Sequence, residues 1–139
     1  MPDKLKMIVS TSFFLLIALK LLAPGNALLI VIDNPPVEPY KRLIHAIGMV
    51  ETSKDTLAYN PIEEAVGFFQ IRPIRVEDYN KRTGSNYTPM DMFNYEISEK
   101  IFLYYASQIG PYDFEQIARN WNGSGACTTY YWDQVKEFL

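Results

Sequence analysis

Apolar positions recur at helical spacing along most of the chain after residue 39. From Tyr40 to Glu51 they fall at Leu43, Ile44, Ile47 and Val50, with Ala46 beside them. Steps of three and four place them on one helical face, so an amphipathic helix is expected there. Gly48 sits inside that helix, where glycine costs about 1 kcal/mol against alanine, so it should mark a close contact. Asn60-Pro61 suggests a turn into a short helix through Glu63 and Glu64. Gly67 to Ile71 is a compact apolar segment ended by Pro73. Val76 to Pro89 is polar and reads as a surface loop with some helical turns. Phe93, Ile97, Ile101, Tyr104 and Tyr105 give the clearest stripe, a long helix over Asp91 to Ile109 stopped by Gly110-Pro111. Another helix is expected from Pro111 to Asn120, then a turn over Trp121 to Gly125, then a last helix from Thr128 to Leu139.

These elements make a mostly α fold, a small single domain of five or six helices. There is no βαβ rhythm, no repeat and no phosphate-loop glycine pattern.

The N-terminus follows a different pattern. Lys4 and Lys6 precede an apolar run from Met7 to Leu19, and small residues follow near Ala27. A positive start, a short apolar stretch and a small-residue end describe a secretory signal over 1–27. The second apolar patch, Leu28 to Ile32, leaves open a retained anchor or a buried helix. Either a signal or an anchor puts 28–139 outside the cytoplasm, periplasmic or extracellular, with membrane contact only through an uncleaved N-terminal segment. Pro35, Pro36 and Pro39 make an extended lead-in to the first helix.

Composition narrows the chemistry. The chain has 139 residues, enough for one domain, and 48% are hydrophobic, so it should fold. The net charge is -3, with no basic tract. Nucleic acid is therefore not an expected partner, because phosphate contacts need concentrated positive charge. One cysteine, Cys127, excludes an intrachain disulfide, and it reads as a small buried apolar residue. With His45 the only histidine, neither a histidine-based zinc site nor any cofactor is expected. Aromatic residues reach 14%, which suits a core or a sugar-binding groove equally.

Glu51 stands out by position. It follows Ile47-Gly48-Met49-Val50 at the end of an apolar helix face. A carboxyl there can emerge at a groove floor with apolar neighbours, which raises its pKa as a general acid requires. An ordinary solvated glutamate at a helix end fits the same pattern.

The stretch Glu51 to Pro73 resembles the core motif of the lytic transglycosylase and goose-type lysozyme superfamily. Glu51 matches the catalytic glutamate and Thr52 stands for the serine after it. Asp55-Thr56 replaces Asn-Pro, Ala58 matches, and Asn60-Pro61 matches Ser-Pro. Glu64-Ala65 replaces Gly-Ala, and Gly67-Phe68-Phe69-Gln70-Ile71 with Pro73 follows in register. A second block, Ala118-Arg119-Asn120-Trp121-Asn122-Gly123, resembles Ala-x-x-Tyr-Asn-x-Gly, with Gly123 one place early. Asn94 to Phe102 resembles the helix between the blocks, with Ser98 where glycine is usual.

The resemblance implies a lysozyme-like fold with a substrate groove and peptidoglycan glycan strands as the partner. It implies cleavage between N-acetylmuramic acid and N-acetylglucosamine, with Glu51 as acid and then base and a 1,6-anhydro product. Water in place of the muramyl hydroxyl gives a hydrolytic lysozyme. A domain that binds glycan or protein without cleaving is the alternative. The matched positions imply substrate contacts for Gln70, Trp121 and Asn122, with Tyr59 a second stacking aromatic. Thr52 is either a hydroxyl near the acid or one that satisfies the helix end. Gly67 and Gly123 take structural roles. Asp55, Glu63, Glu64, Asp78 and Asp91 are the carboxylates that can assist water, and the sequence sets none of them opposite Glu51.

Overall fold

The computed structural model describes residues 38–139; the expected signal or anchor over 1–27 and the prolines at 35 and 36 lie outside them. Among the described residues five α-helices surround one core: α1 (Lys41–Thr52), α2 (Pro73–Thr83), α3 (Tyr95–Ile109), α4 (Phe114–Asn122) and α5 (Cys127–Lys136). Among the described residues no helix is long and apolar enough to cross a membrane.

The first helix follows its apolar spacing. Leu43, Ala46 and Ile47 are buried along one face. The chain then reverses, with Ser53 and Lys54 both at positive φ and Lys54 N–H donating to Gly48 O at 2.9 Å. Gly48 does mark a close contact, with a loop rather than a helix: a Cβ there would meet the Phe68 ring at 2.0 Å.

The short helix expected through Glu63 and Glu64 is absent. Instead β1 (Tyr59–Asn60) pairs antiparallel with β2 (Ala65–Val66), Tyr59 opposite Val66. The Asn60 side chain accepts from Ile62 N–H at 3.0 Å, so asparagine organises a hairpin turn where it was read as a helix start. A tight loop follows. Val66 and Ile71 exchange both backbone hydrogen bonds, at 3.0 and 3.1 Å, and Gly67 lies at φ +75.

That loop drives Phe68 and Phe69 into the core. Phe69 stacks on Phe102 of α3 at 4.8 Å and 8° and meets Trp121 of α4 edge-on at 6.1 Å. The Trp121 indole N–H donates to Phe69 O at 3.1 Å. One side chain thus ties the loop to the second half of the domain. Trp121→Phe should leave that buried carbonyl unpaired and a gap beside it, a loss of about 2–3 kcal/mol. Urea unfolding measures this, and a change below about 0.5 kcal/mol would show the bond to be dispensable.

Four further expectations change. The polar segment from Val76, expected as a surface loop with some helical turns, carries most of α2, which is opened by Pro73 at its first turn and stopped by Gly84. Only Val76 and Tyr79 of α2 are buried, so the apolar signal was too thin to show the helix period. The long helix begins at Tyr95, not Asp91: a 3-10 turn over Pro89–Phe93 precedes it, and Asn94 caps α3 by accepting from Ile97 N–H at 3.2 Å. Trp121 and Asn122, expected in a turn, are the last residues of α4. Cys127, expected to be buried, is exposed at the start of α5.

Candidate active site

Glu51 lies in the last turn of α1, where the helix face that packs on the core gives way to solvent. The residue is half-buried, and its carboxyl is largely shielded. Burial disfavours the ionised form and raises the pKa from 4.5 to about 7. Tyr131 of α5 opposes the shift by donating its hydroxyl to Glu51 Oε1 at 2.7 Å. The charge of Glu63 adds to the rise, while those of Arg72 and Arg75 counter it. A carboxyl group with a pKa near neutrality can give up a proton and take one back under physiological conditions.

Tyr131 is the residue that sequence reasoning missed. The sequence places it only within the last helix expected from Thr128 to Leu139. Helix packing brings it across from the other end of the chain, with its ring buried and its hydroxyl aimed at Glu51. Its own pKa is pushed well above the usual phenol value by burial and by the neighbouring carboxyl, so it acts as a donor. Tyr131→Phe removes a bond that favours the carboxylate, so the Glu51 pKa should rise further. The variant should also lose about 1–2 kcal/mol of stability above neutral pH, where the carboxylate loses its donor. Carbon-13 titration of the Glu51 carboxyl gives the shift, and an unchanged titration would remove Tyr131 from the site.

The other residues singled out by sequence divide into groups. Thr52 turns away from solvent: its hydroxyl donates to Phe68 O at 3.3 Å and Gly48 O at 3.4 Å. It fastens the end of α1 to the aromatic loop. Gln70, at φ 49, folds its amide back onto Gly67 O at 3.0 Å and so closes the loop on itself. Trp121 is a core residue, 6% exposed, with its N–H committed to Phe69 O. It offers no open ring face to a sugar: the ring packs edge-on against Phe69 and Phe102, and the Arg75 guanidinium lies 4.2 Å from its centre. Tyr59 on the hairpin and Asn122 at the end of α4 are exposed. Gly67 is structural, since a Cβ would strike Met92 O. Gly123 ends α4 at φ +138, its N–H donating to Arg119 O.

Four of the five further carboxylates are committed elsewhere. Asp55 accepts from Leu57 N–H at 2.8 Å, and Asp91 caps the 3-10 turn through Thr88. Asp78 binds Arg82 and Tyr105, both at 2.7 Å. Glu63 pairs loosely with Arg72 at 3.8 Å. Glu64 is exposed in the hairpin turn. His45 and Cys127 are both exposed. Among the described residues no cluster of three or more His, Cys, Asp or Glu gathers as metal ligands.

The broadest cavity described, about 770 Å³, opens between α4 and α5 and does not include Glu51. Of its charged groups, Glu115 and Arg119 pair at 3.1 Å, and Asp113 accepts from Gln116 N–H at 2.9 Å to cap α4. No protein-family model, curated protein or solved structure matches the chain.

Proposed function

We propose that this chain is an exported, lysozyme-like enzyme that cleaves the β-1,4 bond between N-acetylmuramic acid and N-acetylglucosamine in peptidoglycan. The observation that carries this reading is the shielded Glu51 carboxyl, held by Tyr131 at 2.7 Å with its pKa raised to about 7. The motif around it, Glu51 through Pro73, supplies the substrate class by resemblance. Protonated Glu51 gives its proton to the glycosidic oxygen as the bond from muramyl C1 breaks. The acetamido oxygen of the substrate stabilises the positive charge at C1. Glu51, now a carboxylate, takes the proton of the muramyl C6 hydroxyl, and that oxygen closes on C1 to give the 1,6-anhydro product. A single carboxyl group serves both steps, in keeping with the commitment of Asp55, Asp78 and Asp91 to other partners. Exposed Tyr59 and Asn122 are the residues free to meet the glycan. Thr52, Gln70 and Trp121 instead hold the framework behind Glu51.

Purified sacculi digested by the native chain and by Glu51→Gln test this, with products read by mass spectrometry. Anhydro muropeptides from the native chain alone are the expected result. Hydrated ends would make it a lysozyme. Equal release by both proteins would exclude Glu51 as the acid. No release by either would leave a lysozyme-like domain that binds without cleaving.

A further inference from the structure

Arg75 carries a half-buried charge without an acidic partner. Its guanidinium lies over the Trp121 ring at 4.2 Å and the Tyr105 ring at 5.2 Å. Nη2 donates to Trp121 O at 3.1 Å and to Asn120 O at 3.5 Å. The ion pairs among the described residues are Arg72–Glu63, Arg82–Asp78, Arg119–Glu115 and Lys136–Asp133, so no carboxylate reaches Arg75. Burial lowers its pKa. Guanidinium presents a planar fork of N–H donors. The two backbone carbonyls occupy Nη2, and no hydrogen bond among the described residues engages Nε or Nη1.

Arg72 faces the same space. It lines a shallow cavity of about 320 Å³ together with Ile74, Arg75, Asp78, Tyr105 and Asn120. Its pairing with Glu63 is 3.8 Å long, with side chains 38% and 54% exposed. Such a pair is worth about 0–1 kcal/mol and is easily exchanged. Asp78 is the acid in the wall, and its charge is already matched by Arg82 at 2.7 Å. The cavity therefore keeps two guanidinium groups for an outside anion, in a chain whose net charge is -3. The positive field of both arginines also extends to Glu51, where it opposes the rise in pKa.

We propose that the cavity formed by Arg72 and Arg75 is a subsite for a substrate carboxylate. Resting on the glycan-cleaving reading above, that carboxylate belongs to the peptide stem carried by the muramyl residue. A carboxylate matches the guanidinium fork in two parallel hydrogen bonds. Ile74, 72% exposed at the cavity wall, offers an apolar surface to small stem side chains. Arg72 exchanges Glu63 for the stem, and Arg75 holds its place through Trp121.

Binding can be measured in the full chain carrying Glu51→Gln, so that strands stay intact. Three probes are compared: glycan strands with tetrapeptide stems, the same strands with all carboxyls amidated, and strands stripped of stems, which keep only the lactyl carboxylate. Stem-bearing strands should bind about 10-fold more tightly than amidated ones, the worth of a charge-assisted hydrogen bond. Adding Arg72→Gln should remove most of that preference while leaving affinity for amidated strands unchanged, and Arg72→Lys should restore part of it. Stripped strands that bind as well as stem-bearing ones would reassign the anion to the lactyl group and overturn the stem assignment. Equal affinity for amidated and stem-bearing strands, equal weakening of both by Arg72→Gln, or no binding of any strand would overturn the subsite. A carboxylate preference in a chain that releases no muropeptides would instead leave the subsite standing and remove the enzyme.

Discussion

Glu51→Gln is expected to stabilise the folded chain above neutral pH while abolishing glycan cleavage. The folded-state pKa of Glu51 is raised from 4.5 to about 7. A raised carboxyl pKa means that folding favours the protonated form. The stability it contributes is fully present below about pH 4.5 and is lost as pH rises through about 7. Above that window the native chain holds a shielded carboxylate at a cost of up to about 3 kcal/mol, at about 1.4 kcal/mol per pH unit. Glutamine is neutral throughout and keeps an oxygen to accept from Tyr131. The variant should therefore lose the pH dependence between these limits and exceed the native chain in alkaline solution by about 1–3 kcal/mol. Denaturant midpoints on both sides of the window measure it. Parallel pH profiles for the two proteins would show that the carboxyl is not shielded in solution. The amide cannot transfer a proton, so cleavage should fall about 100- to 10,000-fold. Stability gained where activity is lost is the expected signature of a group held for chemistry rather than for folding.

Gly67→Ala is expected to cost about 3–5 kcal/mol, combining left-handed backbone strain with overpacking. Gly67 sits at φ +75, and a Cβ there would stand 2.1 Å from Met92 O and 3.0 Å from Met92 C. The obstacle is backbone, which cannot swing aside as a side chain can. Relief requires the 3-10 turn or the aromatic loop to move, and the loop carries Phe68 and Phe69 into the core. Since a domain of this size holds about 5–15 kcal/mol in total, much of the variant should be unfolded or insoluble at growth temperature. Thermal melting of whatever is recovered tests this. A loss under about 1 kcal/mol would mean that the Gly67–Met92 approach is looser than the structure has it.

How much of this was legible in the sequence depends on how each element is held. Where a helix buries a broad stripe, as α1 does with Leu43, Ala46 and Ile47, the period announced it to within a residue. Where a helix buries two side chains, as α2 does, polarity hid it. The Asn60-Pro61 signal marked a turn, but the partner that made it a hairpin was Ala65–Val66, and pairing is not written in one strand alone. The site divides in the same way. Glu51 and Gly67 were marked by position and spacing. Trp121 was marked as an aromatic, but whether its ring meets a sugar or the core depended on Phe69 and Phe102, which come from two other segments.

The sequence by itself determined a helical domain and a carboxyl group at the end of an apolar helix face. Both follow from neighbours in the chain through the helical period, whereas the obstacle to a side chain at Gly67 is Met92 backbone from a distant segment. Only the tertiary structure decided what surrounds that carboxyl group. Tyr131 lies 80 positions from Glu51, and the charges that act on the acid include Arg72 and Arg75, at the cap and in the first turn of a helix that polarity had concealed. A pKa is set by solvent exclusion and by charges in space, and no local pattern along the chain encodes either.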